Sequence, residues 1–597
     1  MHWTESKKTR GYVCAAVALV MAALLVAGGA RTAAAQTGSP EAAARDWWRN
    51  AVILEIYPRS FQDTNGDGVG DLNGITRRLD YLKELGVDAI WLTPVYPSPN
   101  VDFGYDISDY QNIDPQYGTL ADFDRLVAEA KMRHIRVVMD MVMNHTSDQH
   151  KWFLESRSSR ENPYRDWYMW RDGKGETATD KGTAPNNWQS DMGHTAWEWD
   201  EKTRQYYYHK FYTQQPDLNW DNSKVHEAFR EIVRFWLERG VAGFRFDAIT
   251  TLFEDPGLAD EPYVLDKDGK PLIDAYGEKV TDQSKTDNLP GVHAVMQEMR
   301  GVFDAASGSA WPGTRVLIGE TYVPNIAELA KQYGTAEKPE FHLPMDTQLA
   351  FINKLDIQAF RAKLNEVETG IGGNVPLLLF DNHDNPRIDA RYLDGVHDAA
   401  ISRMLATILF ASRGASLFYY GDELGMKTTP PTRKEDVKDP MGVTGWPKEK
   451  GRDGERTPMQ WDATANAGFS KGAPWLPVPP SYASVNAAAE KADKDSLLNW
   501  YKELIRLKKA VPALANGSFA LLDAENPKAL SWVRQAPGAQ PVVVTVSFSA
   551  EPQTVSLTVP GTGGKLKTLL KSPGGADAES AAKIELGPYG VYVGEVK

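Results

Sequence analysis

Three acidic residues each close an apolar run. Asp247 ends Gly243-Phe244-Arg245-Phe246-Asp247, Glu320 ends Arg315-Val316-Leu317-Ile318-Gly319-Glu320, and Asp384 follows Val375 to Phe380 through Asp381-Asn382-His383. Short apolar runs separated by helical stretches read as buried parallel strands. In a β/α barrel, reactive groups stand at the carboxyl ends of such strands. Two carboxyl groups facing each other across a sugar can break a glycosidic bond, one as nucleophile and one as acid and base. A third can stabilise positive charge as it develops. Any one of these acids could equally be a helix cap or an ion-pair partner, so the reading rests on the set.

The elements that must position them alternate along the chain. Strands are expected at Ala51–Tyr57, Asp88–Leu92, Arg136–Val142, Gly243–Asp247, Arg315–Glu320, Phe341–Met345, Val375–Phe380 and Ala415–Tyr420. Amphipathic stretches such as Ile75–Leu85, Ala121–Arg133 and His226–Arg239 fall between them. This alternation implies a parallel sheet, and eight units imply a closed (β/α)8 TIM barrel of the α/β class. The connection between the third and fourth strands is far longer than a loop needs to be. Residues 146–217 therefore read as an inserted domain roofing one side of the barrel mouth, with barrel segments at 46–145 and 218–511. The polar stretch Met426–Ser481 reads as surface loop. After a helix at Ser496–Lys509, the β-branched runs of 512–597 read as a C-terminal antiparallel β-sandwich.

Composition limits the partners. With 66 basic and 80 acidic residues the net charge is −14, which disfavours nucleic acid and anionic membranes. The 18 tryptophans suit stacking on sugar rings but also simply fill cores. Lys7, Lys8 and Arg10, the apolar Tyr12–Ala27 and the small residues Ala33-Ala34-Ala35 form the pattern of a signal peptide over residues 1–35. Cys14, the only cysteine, lies inside it, so an exported product, periplasmic or secreted, would depend on no disulfide. No stable membrane partner is expected. Asp63-Thr64-Asn65-Gly66-Asp67-Gly68-Val69-Gly70-Asp71 spaces hard oxygens like the start of a calcium-binding EF-hand loop. The twelfth position is Gly74 rather than Glu, so it is no true EF-hand, and a solvated acidic turn remains the alternative.

Read together and in order, Met139–His145, Gly243–Ala248, Gly319-Glu320-Thr321 and Asp381–Asp384 resemble the four signature regions of the α-amylase family of glycoside hydrolases. Gln215–Trp220, Asn144–His150 and Arg452–Trp461 resemble segments of its oligosaccharide-acting α-glucosidases. The resemblance spans essentially the whole chain beyond the targeting segment. It implies that Asp247 is the nucleophile and Glu320 the general acid and base, while Asp384 holds sugar hydroxyls in the transition state. Arg245, on the same strand face as Asp247, would keep it ionised, and Glu320 would carry the higher pKa with substrate bound. His145 and His383 would bind sugar hydroxyls, and Tyr105 would stack on the terminal glucose. Asp106 with Arg452 would grip its 4-hydroxyl and close the pocket, making the enzyme exo-acting on small oligosaccharides. The same resemblance implies a structural Ca²⁺ held by Asp63, Asn65, Asp67, Asp71 and the Val69 carbonyl, with no organic cofactor. In the resembling enzymes Val after the nucleophile accompanies α-1,6 activity and Ala or Thr accompanies α-1,4 or sucrose activity, so Ala248, together with Asp287–His293, implies maltose-like substrates. Transglucosidases and sucrose or trehalose isomerases share the covalent intermediate and stay open as alternatives. A non-catalytic transporter heavy chain would not need the complete acid and base set.

Overall fold

Apolar five-residue runs such as Val52–Ile56 have two faces to bury, and a closed barrel with helices outside it buries both. In this computed structural model, which describes residues 46–597 except 178, 275 and 308–312, eight parallel strands close on one another. They are β1 (Val52–Ile56), β2 (Ala89–Leu92), β3 (Arg136–Val142), β7 (Gly243–Asp247), β8 (Val316–Gly319), β9 (Leu343–Asp346), β10 (Leu377–Leu378) and β11 (Ala415–Tyr419). Strands β4 (Trp170–Arg171), β5 (Trp197–Asp200) and β6 (Gln205–Tyr208) lie between β3 and β7 in sequence and form a separate small sheet. The unit described below runs from Trp48 to Lys597. The proposed signal peptide, Cys14 and the stretch up to 45 lie outside the described residues. No described helix is long and apolar enough to cross a membrane.

A helix follows each barrel strand: α1 (Leu72–Leu85), α2 (Leu120–Met132), α3 (Ser223–Glu238), α4 (Gly291–Ala306), α5 (Ile326–Lys331), α6 (Ile357–Gly370), α7 (Asp398–Ala411) and α8 (Leu497–Ala510). Their boundaries are local chemistry. The Asp71 carboxylate accepts from the Gly74 N–H at 2.8 Å and starts α1, while Gly86 ends it at φ 95°, where a side chain would be strained. Leu72, Ile75, Leu79, Leu82 and Leu85 put α1's buried stripe on the barrel. Thr119 and Asp122 cap α2 reciprocally. Strand β10 is much shorter than the apolar run Val375–Phe380. Pro376 has no N–H to give the ladder, so only Leu377 and Leu378 pair on both sides.

The C-terminal strands are β12 (Ser518–Leu522), β13 (Ala529–Gln535), β14 (Val542–Ser547), β15 (Gln553–Val555), β16 (Leu566–Lys571), β17 (Ile584–Leu586) and β18 (Val591–Val596). Five of them form an antiparallel sheet in the order β12-β13-β14-β18-β16, and β15 pairs with β17. Every residue of β14 is buried. Val543 packs with Val555, Ile584 and Leu586 of the small sheet, whereas Val542, Val544 and Val546 join the core of the barrel. A strand covered on both faces has no polar face to display, hence its unbroken Val542-Val543-Val544.

Candidate active site

Strand register brings the charged groups together. Arg245 pairs with Asp140 across β3 and β7, and Val142 pairs with Asp247. Glu320 follows β8 and donates its N–H to the Phe246 carbonyl. Residues 245 and 247 share one strand face. The fully buried Arg245 therefore reaches three acids: Nη1 donates to Asp140 Oδ1 at 2.9 Å and to Asp247 Oδ1 at 2.5 Å, and Nη2 donates to Glu320. One guanidinium shared by Asp247 and Glu320 makes them neighbours at the barrel mouth, as a retaining pair needs to be. Ala248, at φ 44°, turns its N–H onto Glu320 Oε2 at 2.8 Å.

Asp384 lies opposite, in a second charge cluster. Its Oδ1 accepts from Arg452 Nη1 at 2.8 Å and Arg456 Nη2 at 2.9 Å. His383 sits 3.1 Å from Asp384 Oδ2 through Nε2, and its Nδ1 is 2.5 Å from Glu55 Oε1 on β1. Burial opposes charge on His383, but Asp384 and Glu55 outweigh it and push the imidazole up to about 9. Burial likewise opposes charge on Asp384, yet His383, Arg452 and Arg456 hold it well below the usual carboxylate range. His145 is different: burial drives it down to about 3, so its imidazole is neutral. Its Nε2 is 3.2 Å from the Tyr105 carbonyl and 3.1 Å from the Gln215 amide. Tyr105 stacks on His383 at 5.2 Å and donates to Asp140 Oδ2 at 3.0 Å.

Tyr105, His145, Asp247, Glu320, Asp384 and Arg452 all line one pocket of about 560 Å³. Arg245 and His383 lie behind this wall and bond to its carboxylates. Asp106 does not join them. It is fully buried, where its carboxylate accepts from Ser98 Oγ at 2.8 Å and from the N–H groups of Val101 and Asp102. It shapes the turn, and the expected clamp of Asp106 with Arg452 is corrected to Asp102 with Arg452. Arg452 Nη2 meets Asp102 Oδ1 at 2.7 Å, and Nε meets Asp439 Oδ2 at 2.8 Å. Both acids flank the Phe-Gly-Tyr turn, and only the path of the loop shows which faces the pocket. The sequence assigns no role to Asp439, Arg456, Asp140 or Glu55, since their roles depend on partners distant in the chain.

A further expectation changes. Met441, Glu449, Gly451 and Glu455 line the pocket, so the stretch read as surface loop is one of its walls. The tryptophans of 146–220 are core: none lines the pocket, whose aromatic residues are Tyr105, Phe211 and Tyr322. Burial raises both carboxyls, Asp247 and Glu320, above their ordinary values, and Arg245 pulls each of them down. Glu320 has donors on both oxygens and Asp247 on one.

In the acidic loop, Asp63 accepts from the N–H groups of Asn65, Gly66 and Gly68 and from Ser470 Oγ. Asp71 accepts from Thr64 and Gly74. Among the described residues no three His, Cys, Asp or Glu side chains are grouped to hold a metal. The Asp63 and Asp71 carboxylates are thus held by donors of the loop and its surroundings.

A parallel barrel with a buried arginine bridging two carboxylates at its mouth, and a third carboxylate across the pocket, has the arrangement of an enzyme acting on glycosidic bonds. Residues 55–517 match the α-amylase catalytic domain, and the chain belongs to the α-amylase family of glycoside hydrolases. It is 42% identical over 490 residues to a probable alpha-glucosidase of Rhizobium meliloti, covering 80% of this chain and 85% of that protein. It is 38% identical to an oligo-1,6-glucosidase of Parageobacillus thermoglucosidasius, covering 93% and 99%. The crystal structure of an alpha-glucosyl transfer enzyme superposes with a TM-score of 0.83 at 37% identity, over 92% of this chain and 99% of that one.

Proposed function

We propose that the protein is an exo-acting, retaining α-glucosidase that releases glucose from the non-reducing end of maltose and short malto-oligosaccharides. The observation that carries this is the Arg452 bridge. It joins Asp102 on one side to Asp384 on the other, which supports a pocket closed behind the first sugar and an attack on chain ends. Asp247 attacks the anomeric carbon while Glu320 gives its proton to the leaving oxygen, and Glu320 then activates the water that frees glucose. Asp384 grips ring hydroxyls more tightly as positive charge develops. For this, Glu320 must be protonated and Asp247 ionised in the complex.

Ala248 is the basis for preferring α-1,4 linkage, since a small side chain there leaves room beside the leaving sugar. A methyl-scale difference biases linkage by only about 1–3 kcal/mol, and the relatives carry names of both linkages. Likeness to a glucosyl transfer enzyme favours, as a second reading, capture of the intermediate by a sugar instead of water. NMR of the protein with maltose, isomaltose, sucrose and trehalose separates these readings. Rapid release of α-glucose from maltose supports the first. Isomaltose preference overturns the linkage, and new disaccharides in place of glucose overturn hydrolysis. Export by cleavage after residue 35 is a further proposal, tested by N-terminal sequencing of the mature protein. A structural Ca²⁺ held by the Asp63–Asp71 loop is a further proposal, tested by the melting temperature in a strong chelator.

A further inference from the structure

Glu455 lines the same pocket as Asp247, Glu320 and Asp384. It sits between Arg452 and Arg456, and both guanidiniums bond Asp384 Oδ1 instead of Glu455. Its carbonyl accepts from Arg387 Nη2 at 3.0 Å, which anchors its backbone in the wall. The residue is only 3% exposed. Its neighbours of known charge are Arg456 and Arg452 on its own segment and Asp384 on the loop after β10.

A buried carboxyl beside a lowered, ionised Asp384 has reason to keep its proton. Burial raises Glu455 to about 8, against the pull of Arg456 and Arg452. A neutral carboxyl offers an O–H donor and a carbonyl acceptor side by side, whereas an ionised one offers acceptors alone. Sugar hydroxyls can answer both. We propose that Glu455 is a specificity-determining residue whose carboxyl hydrogen-bonds a hydroxyl of the terminal sugar held by Asp384. This rests on the terminal-pocket reading above.

The test is the pH dependence of KM for maltose from pH 6 to 9.5 in the wild type, Glu455→Gln and Glu455→Ala. Wild-type KM should rise roughly tenfold as pH passes about 8, because the donor is lost and a negative charge is gained. Glu455→Gln keeps a donor and an acceptor but cannot titrate. It should keep KM within about threefold of wild type at pH 6 and lack that step. Any later step near pH 9 belongs to His383 and should remain in the Gln variant. Glu455→Ala should raise KM about five- to thirtyfold at pH 6 with its melting curve checked alongside. The same step in Glu455→Gln as in the wild type, or an unchanged KM in a folded Glu455→Ala, overturns the assignment. Product analysis with reducing-end-labelled maltotriose is the independent control. Internal cleavage would defeat the terminal-pocket reading, while the comparison of pH profiles would still decide whether Glu455 grips the sugar.

Discussion

At the scale of single residues, the site's chemistry follows from which acids share which cations. Asp247 is tied to one Arg245 nitrogen, so exchanging it for Asn keeps a hydrogen-bond acceptor but removes the nucleophile. Asp247→Asn should fold normally and lose at least about a thousandfold in turnover, and a fluoroglucosyl label should attach to wild-type Asp247. Attachment to another residue would refute the role. Asp102 and Asp106 lie four residues apart and should behave in opposite ways. Asp102→Asn removes the charged partner of Arg452 and should weaken binding of maltose by about 1.5–3 kcal/mol. Asp106→Asn should instead lower the melting temperature with KM little changed, because its carboxylate holds backbone N–H groups away from the pocket. Equal effects on KM would mean that the loop is misassigned.

At the scale of elements, strands are joined through polar side chains as well as through ladders. Glu55 on β1, His383 and Asp384 form a chain across the barrel mouth. His383 rises from 6.5 to about 9 on folding, so the stability it supplies is complete below pH 6.5 and is lost as pH rises through about 9. Asp384 falls well below 3.8, so its share is present above pH 3.8 and lost on acidification. The unfolding free-energy difference between wild type and His383→Gln should therefore be greatest between pH 3.8 and 6.5 and shrink toward pH 9. A difference that grows with pH would contradict the ion pair. The Asp63–Asp71 loop makes a separate claim. Asp63→Ala removes acceptors for three N–H groups and one hydroxyl and should lower stability with or without metal. A strong chelator should lower the wild-type melting temperature only if the loop binds a cation, because binding to the folded state alone stabilises by mass action.

At the scale of the whole molecule, the C-terminal sheet is fastened to the barrel by a buried arginine. Arg534 on β13 donates to the carbonyls of Ala411 at 2.9 Å and Ser412 at 2.6 Å, at the end of α7, and to those of Leu514 and Gly517. Trp532 Nε1 also reaches the Ala411 carbonyl. Arg534→Met should leave several buried carbonyls unpaired and cost about 3 kcal/mol or more, read as a lower denaturant midpoint. Two separate unfolding transitions in the variant would show that the arginine couples the sheet to the barrel. An unchanged midpoint would show that apolar packing alone suffices.

The chain's own pattern determined the barrel, because alternating apolar runs and amphipathic helices leave few other ways to bury both faces of a strand. It also placed Asp247, Glu320 and Arg245, since a residue at a strand's carboxyl end and its neighbour two positions back must face the mouth together. It could not choose between Asp102 and Asp106, because direction in an irregular loop depends on which donors wait in the folded surroundings. Nor could it turn the stretch after Met426 from surface into wall. That wall exists because Arg452 and Arg456 find Asp384, some seventy residues earlier in the chain, and only closure of the barrel brings them within hydrogen-bond reach.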